Sequence, residues 1–207
     1  MNNTLHAIFP TSVYVVNRDS NLSSKEEIEI GEIFKEGMYR NSGNSTSNNA
    51  YIFYGKLGKI KQFCEQQIKI YVNETINPKE ELDFYITQSW LNITKPGKDH
   101  HEHFHSNSSI SGVFYISTEE ADKLAVADPN FKIKDILKFE PKMFNMWNSN
   151  NWIFPVNNNE LILFPSWLVH KVDPNEKATK DRISISFNTF VRGTLGNRGS
   201  LSELILK

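Results

Sequence analysis

From residue 82 onward the sequence breaks into short β-rich segments divided by turn signals, and this texture restricts the fold more than any other feature. Candidate strands run over 82–93, 102–106, 110–117, 160–164, 168–172 and 182–191. Pro96-Gly97, Ser106-Asn107-Ser108, Asp128-Pro129-Asn130, Asn157-Asn158-Asn159 and Asp173-Pro174-Asn175 separate them, residue types that close turns. Short strands punctuated in this way predict an antiparallel sandwich or barrel of jelly-roll type.

The first 81 residues read differently. Residues 7–16 are β-branched and aromatic, a strand whose Pro10 confines its start to an edge. Ser24 followed by Glu27 predicts a capping box, and Ile30, Ile33, Phe34 and Met38 then recur at helical spacing. Residues 41–49 are small and polar, a loop. Leu57, Ile60, Phe63, Cys64, Gln67, Ile68, Tyr71 and Val72 mark a second helix, closed by Asn77-Pro78. The expected architecture is mainly β with flanking helices, one domain over 1–207. Residues 1–81 form the helical buttress and 82–207 the jelly-roll core, interrupted by a 119–152 insert. That insert carries Phe131, Phe139, Met143, Phe144, Met146, Trp147 and Trp152 without clean periodicity. Packing over one end of the barrel and a substrate-facing lid are its two readings.

Several function classes fall away on composition. A net charge of −1 gives no electrostatic footprint for nucleic acid or an acidic membrane. The single cysteine, Cys64, excludes an internal disulfide framework and a multi-thiolate zinc site. No apolar run reaches the roughly 20 residues of a membrane span, and Met1 to Ala7 lacks a signal-peptide pattern. Intracellular, cytoplasmic residence is the expectation. Assembly as a monomer or a homo-oligomer stays open.

Four of the six histidines fall in Lys98-Asp-His-His-Glu-His-Phe-His105. On a strand, residues two apart share a face. His101, His103 and His105 would then stand together, with His100, Glu102 and Phe104 behind. Imidazoles at i and i+2 can reach one metal ion, and neutral imidazole suits Fe, Zn, Cu, Ni and Mn alike. The third ligand must come from elsewhere, and His170, at the end of Leu161-Ile-Leu-Phe-Pro-Ser-Trp-Leu-Val-His170, is the remaining histidine on such a strand. A solvated histidine run is the competing reading. An ordinary iron oxygenase site uses two histidines and a carboxylate; here Glu102 would need a bulge to serve, and the position two after His103 is His105.

Arg182, Ser184 and Ser186 alternate with Ile183, Ile185 and Phe187. A guanidinium can clamp a carboxylate with two parallel hydrogen bonds, and a serine two residues away can add a third. Tyr115 could offer its phenol to the same carboxylate. The competing reading is a surface strand with its polar side out.

Residues 103–115, 161–172 and 182–188, together with Ile8-Phe-Pro-Thr-Ser-Val13, Ser89-Trp-Leu-Asn92 and the stretch 193–206, resemble the 2-oxoglutarate/Fe(II) oxygenases of marine bacteriophages and bacteria. The resemblance implies a double-stranded β-helix, distantly prolyl-hydroxylase-like, that couples decarboxylation of 2-oxoglutarate to succinate with hydroxylation of a substrate by O2. It implies iron at His103 and His170, with His105 where wider relatives carry aspartate. Arg182 and Ser184 would hold the far carboxylate of 2-oxoglutarate, with Tyr115 and Asn92 beside them. Trp90, Trp152 and Trp167 are candidates for the pocket wall, with plain packing as the alternative. The substrate, a small molecule or a peptide, is not specified.

Two rival readings keep the barrel and change the chemistry. A cupin-like metalloenzyme is favoured by Gly97 followed by His103-x-His105, but Ser109 and Ile110 stand where its glutamate is expected. A non-catalytic phage jelly-roll structural or binding module would use the histidines for a structural ion alone.

Overall fold

The computed structural model describes residues 3–130 and 139–207, and Phe131 therefore lies outside the described residues. Elements follow in the order β1 (Tyr14–Asn17), α1 (Ser24–Lys35), β2 (Met38–Arg40), β3 (Ser45–Ser47), α2 (Gly58–Thr75), β4 (Asp83–Thr94), β5 (His100–His103), β6 (Ile110–Ser117), β7 (Lys123–Ala127), β8 (Asn151–Pro155), β9 (Glu160–Pro165), β10 (His170–Val172), β11 (Arg182–Leu195) and β12 (Leu204–Leu206).

Two antiparallel sheets face one another. The major sheet runs β1-β9-β6-β11-β4-β3-β2, with β12 added to β11, and the minor sheet runs β5-β10-β7-β8. Together they form the jelly roll, a double-stranded β-helix. Strand β9 shows how one apolar run serves both layers. Leu161 and Leu163 pack in the cluster formed with α1 and α2, while Ile162 and Phe164 pack between the sheets with Tyr115, Leu124 and Val126. A strand buried on both faces needs no polar alternation.

Both helices lie on the outer side of the major sheet, giving the expected buttress. Ile30 and Ile33 of α1 and Ile60, Cys64, Ile68 and Tyr71 of α2 pack in one cluster with Leu91, Phe114, Ile185 and Phe187. Helix α1 does open with a capping box, but one residue earlier than expected. Ser23 is the N-cap and Glu26 its partner, because Arg18 holds Glu26 in an ion pair of 2.8 Å. Cys64 is fully buried, and desolvation pushes its thiol up, so it behaves as a small apolar side chain.

Three further expectations are corrected. The N-terminal strand covers only Tyr14–Asn17, since Ile8 and Phe9 are exposed rather than paired. The 41–49 loop contains the short strand β3. The 119–152 insert contributes β7 and the start of β8 to the minor sheet, while Phe139, Met143, Phe144, Met146 and Trp147 are exposed and neither pack over the barrel nor line the pocket described below. No described helix is long and apolar enough to cross a membrane.

At the centre of the major sheet, Gly112 of β6 faces Phe187 of β11 in register. A side chain at Gly112 would collide with the Phe187 ring, which also packs 6.1 Å from Phe53. The glycine is thus required by close approach of a ring.

Candidate active site

The site lies between the two sheets and is built from strand ends. In β10, His170 sits opposite His103 of β5. His105 follows directly, its backbone N–H donating to the Ser166 carbonyl at 2.9 Å. The Ser166 turn is pinned from the side. Its hydroxyl lies 2.6 Å from that of Ser108 and 2.8 Å from that of Ser111.

One potential ligand atom from each of His103, His105 and His170 falls within 4.8 Å of the others. The Nε2 atoms of His105 and His170 are 3.3 Å apart. Two nitrogens bound at right angles to one ion at about 2.1 Å lie about 3 Å apart, so small inward shifts would seat a metal. Tautomers support this. His103 Nδ1 donates to the His101 carbonyl at 2.7 Å, and His170 Nδ1 donates to the Leu168 carbonyl at 2.9 Å. A carbonyl can only accept, so each ring carries its proton on Nδ1 and leaves the Nε2 lone pair free, as metal-bound histidines generally do.

Burial keeps these rings neutral. Desolvation is the leading cause of a lowered pKa at His103, of about 4 at His105 and of about 3 at His170. His100 is also about 3, from desolvation first and then the neighbouring imidazoles and Arg182. Folded values below the unfolded value of 6.5 mean that the unfolded chain binds more protons in the window between them. Stability of the metal-free protein should therefore fall as pH drops from 6.5 towards about 4. Carboxylates such as Glu26 start from 4.5 and contribute only lower down. A melting temperature of chelator-treated protein that stays flat between pH 7 and pH 5 would contradict this.

Opposite the histidines, strand β11 presents Arg182, Ser184 and Ser186 to the same cavity. Register places Asn92, Ser184 and Tyr115 in one row across β4, β11 and β6, with Arg182 opposite Thr94. Arg182 is buried, and desolvation lowers its pKa. Its one ion pair among the described residues is with Asp122 Oδ1 at 3.5 Å, and that oxygen also accepts from Asn175 Nδ2 at 3.1 Å. Most of the five guanidinium donors are left for something else. The Tyr115 phenol is pushed up by burial and stays protonated, a donor. Asn92 is more committed. Its Oδ1 accepts from Asn44 and Thr46 and its Nδ2 donates to Ser186.

The cavity has a volume of about 40 Å³, and no carboxylate of the described residues lines it. Trp90 forms part of its wall, 5.9 Å from the His105 ring. Trp152 and Trp167 are 46% and 54% exposed and do not line it, so for them neither wall nor core packing holds. The structure thus brings together His103, His105, His170, Arg182, Ser184, Tyr115 and Asn92. His101 and Glu102 stand outside on the exposed side of β5. Sequence reasoning missed His100, Thr94 and Asp122. Only His100 left a signal, lying within the histidine run.

A buried cationic cavity beside converging imidazoles is the arrangement of an enzyme that handles an acidic cosubstrate at a metal. Residues 88–188 match the family described as "Putative 2OG-Fe(II) oxygenase". That matched segment carries His103, His105, His170, Arg182, Ser184, Tyr115 and Asn92, so the site region is similar to 2OG-Fe(II) oxygenases. No curated protein matches its sequence. Among solved structures, a prolyl-4-hydroxylase of Pseudomonas putida is similar with a TM-score of 0.57 at 15% identity, over 88% of this chain and 94% of that one. The collagen prolyl hydroxylase of Paramecium Bursaria Chlorella virus-1, solved with 2-oxoglutarate, gives 0.53 at 13%, over 85% and 95%. HygX of Streptomyces hygroscopicus, with nickel and 2-oxoglutarate bound, gives 0.55 at 10%, over 86% and 82%. Identities this low speak for the fold alone.

Proposed function

We propose that the protein is a 2-oxoglutarate- and Fe(II)-dependent dioxygenase that hydroxylates a small molecule or a peptide, with residues 1–207 acting as one catalytic unit in the cytoplasm. The observation that carries the proposal is the pairing of three neutral imidazoles with a buried guanidinium in a cavity that no described carboxylate lines. His103, His105 and His170 hold the iron, and no other set of three metal-binding side chains converges among the described residues. Iron with 2-oxoglutarate and O2 supplies the oxidation, releasing succinate and CO2.

The chain's own residues bind and orient. Arg182 grips the far carboxylate of 2-oxoglutarate through its planar fork, with Ser184 and Tyr115 adding hydroxyl donors from the same row. Asn92 acts mainly through Ser186, fixing that row from the next strand. Asp122 holds the guanidinium from behind. Phe164, Leu124 and Val113 keep water from the inner wall, and Trp90 bounds the side next to His105.

A donor set without a carboxylate leaves iron more positive by one charge than two histidines and an aspartate would. A doubly negative cosubstrate offsets that charge and the one on Arg182. Such a site should bind 2-oxoglutarate and Fe(II) cooperatively. Anaerobic addition of both should produce a visible charge-transfer band and raise the melting temperature, whereas 2-oxoglutarate alone should do neither. Absence of the band with Fe(II) bound would refute the proposal and favour a cupin-like metal protein.

A further inference from the structure

Strand β5 carries an irregularity with a chemical consequence. His170 pairs with His103 and Val172 with His100, so three steps on β5 oppose two on β10. One extra residue is accommodated as a bulge, which turns alternate side chains to the same side. On a regular strand, His100 and His103 would point apart. Here their rings stack, with centroids 4.5 Å apart at 27°, and His100 lines the cavity with Arg182, Ser184 and Tyr115.

His100 does not belong to the converging metal set. Neither of its ring nitrogens is hydrogen-bonded to a described residue, its ring contacts being with His101 and His103 alone. Its place is fixed from outside the pocket. Gly43, at φ +80°, brings the β2–β3 turn so close to Asp99 that a side chain there would collide with the Asp99 backbone. Along the chain come Thr94 (opposite Arg182), then His100, then His103. The fourth imidazole therefore shares the cavity with the guanidinium and stacks on one of the metal-binding rings.

Resting on the oxygenase reading, we infer that His100 is a cosubstrate-binding residue that donates its ring N–H to a carboxylate oxygen of 2-oxoglutarate. The β5 bulge is the device that presents it. A bound dianion stretching from Arg182 to the metal passes a stacked imidazole with a free donor, and the ring gains the hydrogen bond it otherwise lacks.

The test uses the full chain loaded anaerobically with Fe(II), titrated with 2-oxoglutarate by the visible band and by calorimetry. His100→Phe keeps a stacking ring and removes the donor. It should weaken 2-oxoglutarate about tenfold or more, the loss of one hydrogen bond to a charged acceptor, while bound iron stays at the wild-type ratio. His100→Gln should recover part of the loss. His100→Leu decides the matter if the phenylalanine variant fails to fold. Unchanged affinity in a folded, iron-loaded variant overturns the inference, as does loss of iron together with 2-oxoglutarate, which would make His100 a metal ligand. Failure of wild type to bind 2-oxoglutarate would instead overturn the oxygenase reading itself.

Discussion

Arg182→Lys should weaken 2-oxoglutarate binding by about 10- to 150-fold, the loss of one charged hydrogen bond of about 1.5–3 kcal/mol. An ammonium keeps the positive charge and gives up the fork. Arg182 reaches the cavity from the first residue of β11, opposite Thr94, with Asp122 behind it at 3.5 Å. Lysine could meet Asp122 or the cosubstrate with one strong hydrogen bond, but it cannot present two parallel donors to a carboxylate while keeping its ion pair. Ser184 and Tyr115 remain in their row, so binding weakens without disappearing. Calorimetric titration of the Fe(II)-loaded variant under nitrogen measures the change, and the band's amplitude at saturation should be preserved. An affinity within a factor of two of wild type would remove Arg182 from the cosubstrate site.

The same residue shows why some features were legible in sequence. Arg182-Ile-Ser-Ile-Ser-Phe187 alternates without interruption, so its face could be assigned, and β11 is regular from Arg182 to Asn188 on the β4 side. Strand β6 was bounded at Ile110 and Ser117, as observed, because a Ser-Asn-Ser turn precedes a clean β-branched and aromatic run. Strand β7 was not. Lys123-Leu-Ala-Val-Ala127 has weak intrinsic strand preference, and its pairing with β10 and β8 makes it a strand. The capping box was displaced by one because Ser23 and Ser24 each have a glutamate three residues on; the Arg18 ion pair, a tertiary contact, selects Glu26.

In the histidine run, parity put His103 and His105 together and His100 behind them. The first assignment agrees with the structure, while the second fails at a bulge that no local composition announces. Asp122 was invisible for another reason. One acidic residue of the run Glu119-Glu120-Ala121-Asp122 has no motif of its own, and it meets Arg182 only through the fold.

His170→Ala should abolish stable iron binding while leaving the fold in place. His170 is the ligand candidate that comes from the second strand, so without it His103 and His105 remain as a pair on one short segment. A two-imidazole site is easily stripped by a chelator. The barrel should survive, because the ring is buried as a neutral group beside three other imidazoles, and its one backbone hydrogen bond is to the Leu168 carbonyl. Metal analysis after desalting should find less than about a tenth of the wild-type iron, with an unchanged circular dichroism spectrum. Ligand linkage gives a second, independent readout. Fe(II) at 100 times its Kd adds about 2.7 kcal/mol to the stability of a protein that binds it only when folded. Wild-type melting should therefore rise with added Fe(II) under nitrogen, and that of the variant should stay where it was. Retained iron with a retained shift would mean that His100 or His101 completes the site in place of His170, and the convergence of the two strands would then have no role in holding metal.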